Sequence, residues 1–200
     1  MTLNRTLRAQ SKVDAEAMGR PRRAAEPGDF FHVCTRGNNR RDIYADTADR
    51  LVFLKMLDRC RARHDWRIYA WCLMTTHYHV VLATPEGGLS DGMCRLNGGF
   101  ARSFNKRRGR EDHLFGKRFL STTIKDDRHL LEAIRYVVLN PVRAGLCDDP
   151  GAWRWSSYNA SAGVEAAPPL LALGELLALF GVDPGPAVAS FQTFVREGIA

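Results

Sequence analysis

The chain has 200 residues, of which 45% are hydrophobic, so it can form one folded domain with appended segments, and global disorder is excluded. Lysine and arginine total 29 against 22 aspartate and glutamate, and the formal net charge of +7 favours a polyanionic partner such as nucleic acid. The 5 cysteines include no CxxC pair, so we expect reduced thiols in a cytosolic protein. No apolar run approaches the ~18 residues of a membrane span, and no signal peptide is evident.

The first half of the chain predicts three strands and a helix. Residues 1–18 lack a convincing hydrophobic period and are predicted to be a flexible extension. Residues 30–36 form the first predicted strand, which ends at Gly37. Asp46 or Thr47 can cap a helix that runs to about residue 64. Strands at 66–74 and 77–84 are predicted to pair as a hairpin.

The second half alternates helix, strand and helix. Residues 90–108 have helical spacing, although Gly98 and Gly99 cost roughly 1 kcal/mol each relative to alanine. A fourth strand is predicted at 114–124. Asp126 caps the next helix, which should end near Asn140 because Pro141 disfavours a helical residue before it. A linker at 160–169 and two short helices at 170–180 and 188–194 complete the chain.

The order of the predicted elements, β-α-β-β-α-β-α, defines the expected fold. It is typical of an α+β protein with a ferredoxin-like split βαβ sheet and its two helices on one face. We therefore predict a catalytic domain at 19–160, preceded by the extension at 1–18 and followed by a linker and short helical C-terminal tail at 161–200.

A His-Tyr-His tripeptide opens the predicted third strand. Residues two apart on a strand point to the same face, so His77 and His79 would present two imidazoles side by side. An isolated His-x-His is more often structural than metal-binding. A strand would nevertheless hold both rings rigidly, as a metal site requires.

Tyr136 and Asn140 are four residues apart and would project together from the third predicted helix. At ~100° per residue, both lie far from the middle of the apolar stripe of that helix. Tyr136 is therefore not a core residue of its own helix, and it is either an ordinary surface tyrosine or part of a site. Glu132 and His129 lie on the same side and are spare candidates for a ligand or base.

Together these residue types suit phosphodiester cleavage. A phenol has an unperturbed pKa of ~10 and needs activation near neutral pH. A divalent ion held by His77, His79 and the amide oxygen of Asn140 would polarise a phosphate oxygen and stabilise developing charge. Such a mixed nitrogen and oxygen set suits Mg²⁺ or Mn²⁺, whereas the lack of a thiolate argues against structural zinc.

The segment at 100–119 interleaves cations with aromatic rings. Cations can follow a nucleic-acid backbone, and exposed rings can stack on unpaired bases. Phe100 and Phe104 fit better as core residues, whereas Lys117, Arg118 and Arg36 are expected to contact DNA.

The chain resembles the single-tyrosine HUH transposases, named for a histidine–hydrophobic–histidine motif, and in particular their REP-associated branch. The resemblance covers about residues 19–160. It rests on these phrases: GRPRRA at 19–24, HVCTRGNNRRDIYAD at 32–46, WCLMTTHYHVVL at 71–82, LNGGFARSFNKRRGREDHLFGKRF at 96–119, RYVVLNPVRAGL at 135–146 and WRWSSY at 153–158.

The resemblance implies an enzyme that cuts and rejoins single-stranded hairpin DNA. It makes His77 and His79 metal ligands, Asn140 the third ligand and Tyr136 the nucleophile, which would form a 5′-phosphotyrosine and free a 3′-OH. It also implies a monomer acting in cis, in the bacterial cytoplasm at the nucleoid. The residues expected to contact DNA are Arg20, Arg22, Arg36, Asn38, Arg40, Arg102, Lys106, Lys117 and Arg118. Tyr78 departs from the family pattern, because the position between the histidines is usually aliphatic.

Two other functions remain open. The first is a non-catalytic single-strand nucleic-acid-binding module of ferredoxin-like fold, with aromatic residues exposed on the sheet; Phe31, Val33, Tyr69 and Trp71 could serve. The second is a replication or conjugation nickase, against which the RGNN and NPVRAGL phrases argue.

Overall fold

The structure, a computed structural model, describes residues 26–199. The predicted extension at 1–18 and the predicted DNA contacts Arg20 and Arg22 lie outside this range. The strands are β1 (Asp29–Arg36), β2 (Arg67–Leu73), β3 (His77–Thr84) and β4 (Leu120–Ile124). The helices are α1 (Thr47–His64), α2 (Leu89–Arg108), α3 (Asp127–Val138), α4 (Asn140–Arg143), α5 (Tyr158–Ser161), α6 (Leu173–Ala178) and α7 (Pro184–Arg196), with 3₁₀ turns at Asn38–Arg40 and Pro150–Ala152.

The four strands form one antiparallel sheet in the order β2-β3-β1-β4. The hairpin predicted between β2 and β3 is present, and the element order through α3 agrees with the prediction of a mixed α/β fold. In the pairing of β1 with β3, Arg36 lies opposite His77 and Cys34 lies opposite His79. The register therefore places the predicted metal-binding histidines beside the end of β1.

Alternation along the strands divides the core into two layers. Tyr78, Val80 and Leu82 pack with Phe53 of α1 and Phe100 of α2 on one face, which we call the α1–α2 face. Val81 and Ala83 pack with side chains of α3, α6 and α7 on the other, the α3 face. The first two helices thus share one side of the sheet as expected, and α3 covers the opposite side. His77 and His79 alternate in phase with Val81, so they belong to the α3 face.

One side-chain cap and one ion-pair cluster fix the first two helices. Asp46 accepts a hydrogen bond from the backbone N–H of Asp49 at 2.8 Å, as the predicted cap of α1 requires. The carboxylate of Asp49 is fully buried. It forms an ion pair with Arg107 at 2.6 Å and accepts a hydrogen bond from Arg108 at 2.9 Å, and both arginines lie at the end of α2. This cluster ties the start of α1 to the end of α2, so these two arginines serve the fold.

A glycine that the sequence did not single out sets the start of α2 against β2. A Cβ built on Gly92 would lie 2.1 Å from an indole carbon of Trp66, which is itself fully buried. Only glycine therefore allows this approach. At Gly99 the nearest atom to such a Cβ is the sulfur of Met56 at 3.9 Å, so that glycine has room for a side chain.

The prediction of a strand over 114–119 is wrong. Strand β4 begins only at Leu120, and the preceding residues form an irregular segment. Leu114 is buried there, its carbonyl accepts the N–H of Asn38 at 2.8 Å, and Phe115 makes an isolated bridge to Gly37. The segment is drawn across the end of β1 by these contacts, so it cannot extend the β4 ladder. We call residues 114–119 the crossing segment.

The third predicted helix is interrupted before Asn140. Helix α3 ends at Val138, close to the predicted end, Leu139 has φ −86° and ψ −1°, and Asn140 begins the short helix α4 with Pro141 in its first turn. A proline is tolerated at that position because its missing N–H would have had no helical partner. The two short C-terminal helices that the sequence predicted are present as α6 and α7, and their residues Leu176, Phe191 and Val195 are fully buried on the α3 face.

No helix within residues 26–199 is long and apolar enough to cross a membrane. All five cysteines lie in this range, and all are free thiols, as expected.

Candidate active site

His77 and His79 lie side by side on the α3 face, with ring centroids 5.1 Å apart. The Nδ1 of His77 is 3.0 Å from the hydroxyl of Thr76. The Nδ1 of His79 is 2.8 Å from the Nε2 of His32, on the neighbouring strand β1. Each ring is thus held at Nδ1, and His79 is only 6% exposed.

Burial keeps this histidine cluster neutral. Desolvation, with smaller contributions from the neighbouring His32, His77 and Arg36, lowers the pKa of His79 to about 3. Burial also lowers the pKa of His77, and Arg36 adds to that effect, while a hydrogen bond with the Asn140 side chain opposes it. Neutral imidazole is the form that binds a metal ion, so both rings are in the required state near neutral pH.

Tyr136 comes to the histidines from α3 on the same side of the sheet. Its ring centroid lies 5.7 Å from that of His79 and 5.6 Å from that of His32. The side chain remains 41% exposed although it packs on these rings. The guanidinium carbon of Arg143 lies 5.1 Å from the centre of the Tyr136 ring. The phenol is therefore accessible, next to the imidazoles and next to a positive charge.

Asn140 completes the arrangement one turn after Tyr136. It is 9% exposed and its side chain hydrogen-bonds to His77. The structure thus brings together all four residues that the sequence predicted as a site. The apolar stripe of α3 explains why: Ile134, Val137 and Val138 are fully buried against the sheet. That packing turns Tyr136 toward the open end of the same face.

His32 belongs to the cluster and was missed in the sequence. It lies two residues before Cys34, the cross-strand partner of His79, so it is a diagonal neighbour of His79 in the antiparallel ladder. Burial lowers the pKa of His32, and the nearby His129 lowers it further. The HVCTR phrase contains this histidine, but only the strand register shows that it meets His79.

The donor set at the site suits a divalent ion. Across residues 26–199, no group of three or more His, Cys, Asp or Glu side chains could hold a metal. The predicted set differs from such a group because its third donor is an amide. Both Nδ1 atoms are engaged, so an ion would bind the Nε2 atoms of His77 and His79, the second of which now lies 4.0 Å from the Sγ of Cys34. The Asn140 side chain, which is hydrogen-bonded to His77, would add a hard oxygen donor.

A basic cleft of about 470 Å³ adjoins the histidines, with Cys34 and Arg36 in its wall. The wall also includes the turn after β1 and the end of the crossing segment. Five of the predicted DNA contacts line this cleft: Arg36, Asn38, Arg40, Lys117 and Arg118. Two others, Arg102 and Lys106, are exposed on α2 and do not line the cleft.

The turn in this cleft has an unusual backbone. Asn39 and Arg40 both have positive φ angles, 52° and 58°. Backbone hydrogen bonds hold the turn, since Gly37 donates to Thr76 at 2.8 Å and Arg41 donates to Asn38 at 3.0 Å. A Cβ on Gly37 would lie 2.1 Å from the carbonyl oxygen of Arg41, so glycine is required for this closure.

The remaining candidates fall outside the site. Glu132 pairs with Arg135 at 2.7 Å, and the Nδ1 of His129 lies near the backbone N–H of Lys125 at 3.4 Å. Tyr78 points to the α1–α2 face and is fully buried there. Its hydroxyl donates to Asn97 at 2.6 Å and accepts from Thr35 at 2.9 Å. The departure from an aliphatic residue is thus accommodated by a buried polar network.

Both faces of the sheet are covered, which contradicts exposure of its aromatic residues. The aromatic residues Phe31, Tyr69 and Trp71 and the aliphatic Val33, which were the candidates for exposure, are each 5% exposed or less. Phe100 and Phe104 are core residues as expected. The exposed ring beside the histidines is Tyr136, which does not belong to a strand.

Residues 30–140 match the family described as "Transposase IS200 like", and this match spans more than half of the chain. The chain therefore belongs to the IS200-like transposase family. Within it, the chain is similar to REP-associated tyrosine transposases. It is 28% identical over 116 residues to a protein of Haemophilus influenzae described as a REP-associated tyrosine transposase. That alignment covers 52% of this chain and 66% of the relative, just under two thirds of the relative's length.

One solved structure supports the fold. A REP-associated tyrosine transposase bound to a REP hairpin superposes with a TM-score of 0.60 and 19% identity, over 80% of this chain and 93% of that one. A transposase-like protein from Deinococcus radiodurans matches with a TM-score of 0.41 and 18% identity, over 56% of this chain and 89% of that one. The resemblance found in the sequence is thus confirmed at the level of family and fold.

Proposed function

We propose that this protein is a DNA strand-cleaving and strand-joining transposase that acts on single-stranded, hairpin-containing DNA through Tyr136. The observation that carries the proposal is the position of the Tyr136 ring. It lies 5.7 Å from His79, and the Tyr136 side chain is 41% exposed. A phenol, two neutral imidazoles and an amide in one site are the groups that this chemistry needs.

In the proposed reaction, the Tyr136 oxygen attacks a DNA phosphorus. A phosphorus–tyrosine bond forms, the bond from phosphorus to the 3′-oxygen breaks, and the phenolic proton is released while the leaving oxygen gains a proton. The products are a 5′-phosphotyrosine and a free 3′-OH. Attack by a 3′-OH of another strand reverses these changes, so joining needs no external energy source.

Arg143 and Asn140 would assist from the turn after Tyr136. The Arg143 guanidinium, 5.1 Å from the ring centre, places a positive charge beside the phenol on which negative charge develops. Asn140 holds His77 through its side chain. When bound by His77, His79 and Asn140, Mg²⁺ or Mn²⁺ would supply electrophilic polarisation of the phosphate.

The substrate class is inferred from the basic cleft and from the relatives. Arg36, Lys117 and Arg118 are exposed beside the histidines, where they can contact DNA phosphates. A structural relative of the same fold is bound to a REP hairpin. We extend this substrate class to the present protein, with Asn38 and Arg40 as further contacts in the cleft. Arg102 and Lys106 remain predicted contacts on the more distant surface of α2.

One chain contains every residue of the proposed site. Because Tyr136 already lies against the histidines of its own chain, a monomer that cleaves in cis needs no residue from a second copy. We propose a monomer in the bacterial cytoplasm, acting at the nucleoid.

The second candidate is a single-strand nucleic-acid-binding module without catalysis. Burial of the sheet aromatics removes its usual stacking platform. The basic cleft would still allow such binding, so the two functions need a direct test.

The test is adduct formation on labelled hairpin DNA taken from the sequences that flank the gene. Purified protein, Mg²⁺ or Mn²⁺ and 3′-labelled DNA should give a labelled protein band on a denaturing gel. The band should disappear in Tyr136→Phe, which removes only the nucleophilic oxygen, and in His77→Ala. Tight binding by the wild type with no adduct under either metal would instead support the binding module.

A further inference from the structure

A second cavity of about 590 Å³ lies on the other side of the crossing segment from the basic cleft. It is bounded by the first half of α2 and by the crossing segment, and we call it the α2 pocket. Lys117 and Arg118 line both cavities. A DNA strand that leaves the basic cleft and passes over these two cations would therefore reach the α2 pocket next.

The interior of the α2 pocket is mainly apolar. Met93 and Phe119 are almost fully buried in its wall, and Phe115 is partly exposed. Its volume is that of a small-molecule site, since such pockets measure about 300–1,000 Å³. A flat, weakly polar group would fill it and make contact with an aromatic ring.

A few polar groups at the wall remain able to bind a ligand. The buried hydroxyl of Ser90 has no hydrogen-bond partner within residues 26–199. Asn97 already bonds to Tyr78 and Thr35, which leaves one amide hydrogen. The carboxylate of Asp91 is paired with Arg95 at 2.7 Å, so its charge is largely balanced. Sparse hydrogen-bonding groups around an apolar interior match the edge of a nucleobase.

The charges at the entrance favour a nucleic acid over an apolar peptide. Lys117 and Arg118 are exposed, and neither forms an ion pair with a residue of the described chain. Two adjacent cations at the mouth of an apolar pocket suit a phosphate attached to a base.

We propose that the α2 pocket binds one unpaired nucleobase of the DNA, whose adjoining phosphate contacts Lys117 and Arg118. This inference rests on the proposed DNA-processing function and extends it to a defined nucleotide-binding site. The bound base lies one step along the strand from the basic cleft, on the opposite side of the crossing segment from Tyr136.

Gly98 offers a way to fill the pocket without disturbing the cleft. It lines the α2 pocket, and the nearest atom to an added Cβ is a guanidinium nitrogen of Arg102 at 3.3 Å, which belongs to a flexible side chain. In Gly98→Leu, the new side chain should occupy the space of the base while improving helix propensity. Gly99→Ala, one residue further along α2, is the matched control because it adds a methyl group away from the pocket.

The experiment measures binding by fluorescence anisotropy with hairpin DNA that carries a single-stranded flank. A series of oligonucleotides replaces each flank nucleotide in turn with an abasic site. We expect one position at which loss of the base weakens wild-type binding about tenfold, the effect of one stacked base. Gly98→Leu should lose the same factor on intact DNA and lose nothing further at that abasic position, whereas Gly99→Ala should behave as the wild type.

Two results would overturn the pocket. One is a wild-type abasic series without a sensitive position; the other is a Gly98→Leu variant that retains the wild-type pattern, with its fold checked by circular dichroism. The adduct assay separates this inference from the proposed function. If an adduct forms but no abasic position weakens binding, the base-binding pocket is rejected and the cleavage function stands. If one abasic position weakens binding, Gly98→Leu removes that effect and no adduct forms, the cleavage function is rejected and the pocket stands.

Discussion

His32 provides the sharpest test of how the candidate metal site is organised. Its Nε2 lies 2.8 Å from the Nδ1 of His79, and His79 is 6% exposed, so water cannot replace this partner easily. If His79 donates its Nδ1 proton to His32, its Nε2 keeps the lone pair that an ion needs. His32 is thus expected to act as a positioning residue, through the tautomer and orientation of His79.

Replacement of His32 by phenylalanine keeps an aromatic ring and removes the acceptor. A buried donor without its partner costs about 1–3 kcal/mol, and at about 1.4 kcal/mol per factor of ten this corresponds to roughly 5- to 150-fold. Loss of such an outer partner typically lowers metal affinity by about 10- to 100-fold. We therefore expect His32→Phe to bind Mn²⁺ about 10- to 100-fold more weakly than the wild type. The Mn²⁺ affinity of His32→Gln, which retains an acceptor oxygen, should change much less.

The assay is a Mn²⁺ titration of DNA-free protein near neutral pH, followed by calorimetry and by the loss of the free-ion electron paramagnetic resonance signal. Circular dichroism and the thermal midpoint in chelator show whether each variant is folded. Equal Mn²⁺ affinity for a folded His32→Phe and for the wild type would refute the argument. Equal weakening in the phenylalanine and glutamine variants would show that ring packing, and not the hydrogen bond, is what matters.

Further predictions concern stability. Gly92→Ala should destabilise the fold by about 1–3 kcal/mol because its methyl group meets Trp66. Gly99→Ala should be neutral or stabilising by up to about 1 kcal/mol. Equal free energies of unfolding for the two variants in urea denaturation would contradict this packing argument. Asp49→Ala should cost about 1–3 kcal/mol because it leaves the backbone N–H of Ala45 without its acceptor and removes the partner of the two arginines at the end of α2, and an unchanged denaturation midpoint would contradict this. The metal-free protein should lose stability as pH falls from 6.5 toward 3. In this range His79 gains a proton in the unfolded chain, whereas in the folded state it stays neutral down to its pKa of about 3. The loss in the free energy of unfolding is limited to about 5 kcal/mol. In chelator, His79→Gln should flatten this dependence, and a slope equal to that of the wild type would exclude His79 as its source.

Much of the fold could be predicted because local signals and long-range packing agree. Alternating and helical apolar patterns placed the strands and long helices within a few residues, and the caps at Asp46 and Asp126 marked two helix starts. The third strand was predicted with its observed bounds, His77–Thr84. The exception at 114–119 arose because Leu114 and Phe115 satisfy a strand-like pattern while their partners, Asn38 and Gly37, lie far away in the sequence.

The sequence predicted those parts of the candidate site in which two neighbouring residues come from the same strand or the same helical run. Strand spacing placed His77 beside His79, and helix spacing placed Tyr136 beside Asn140. The contact of His32 with His79 depends on the register between β1 and β3, and the contact of Arg143 with Tyr136 depends on the break before α4. Neither follows from periodicity, because both are set by how separate elements meet.

The left-handed turn at Asn39 and Arg40 has a consequence for molecular recognition. Such backbone angles are unfavourable for residues with side chains, by about 1–3 kcal/mol each, and they persist here because neighbouring backbone groups over-determine the turn. A wall shaped before any ligand arrives loses little conformational entropy on association. In the proposed complex with DNA, the ordering cost would therefore fall on the flexible nucleic acid and not on the cleft.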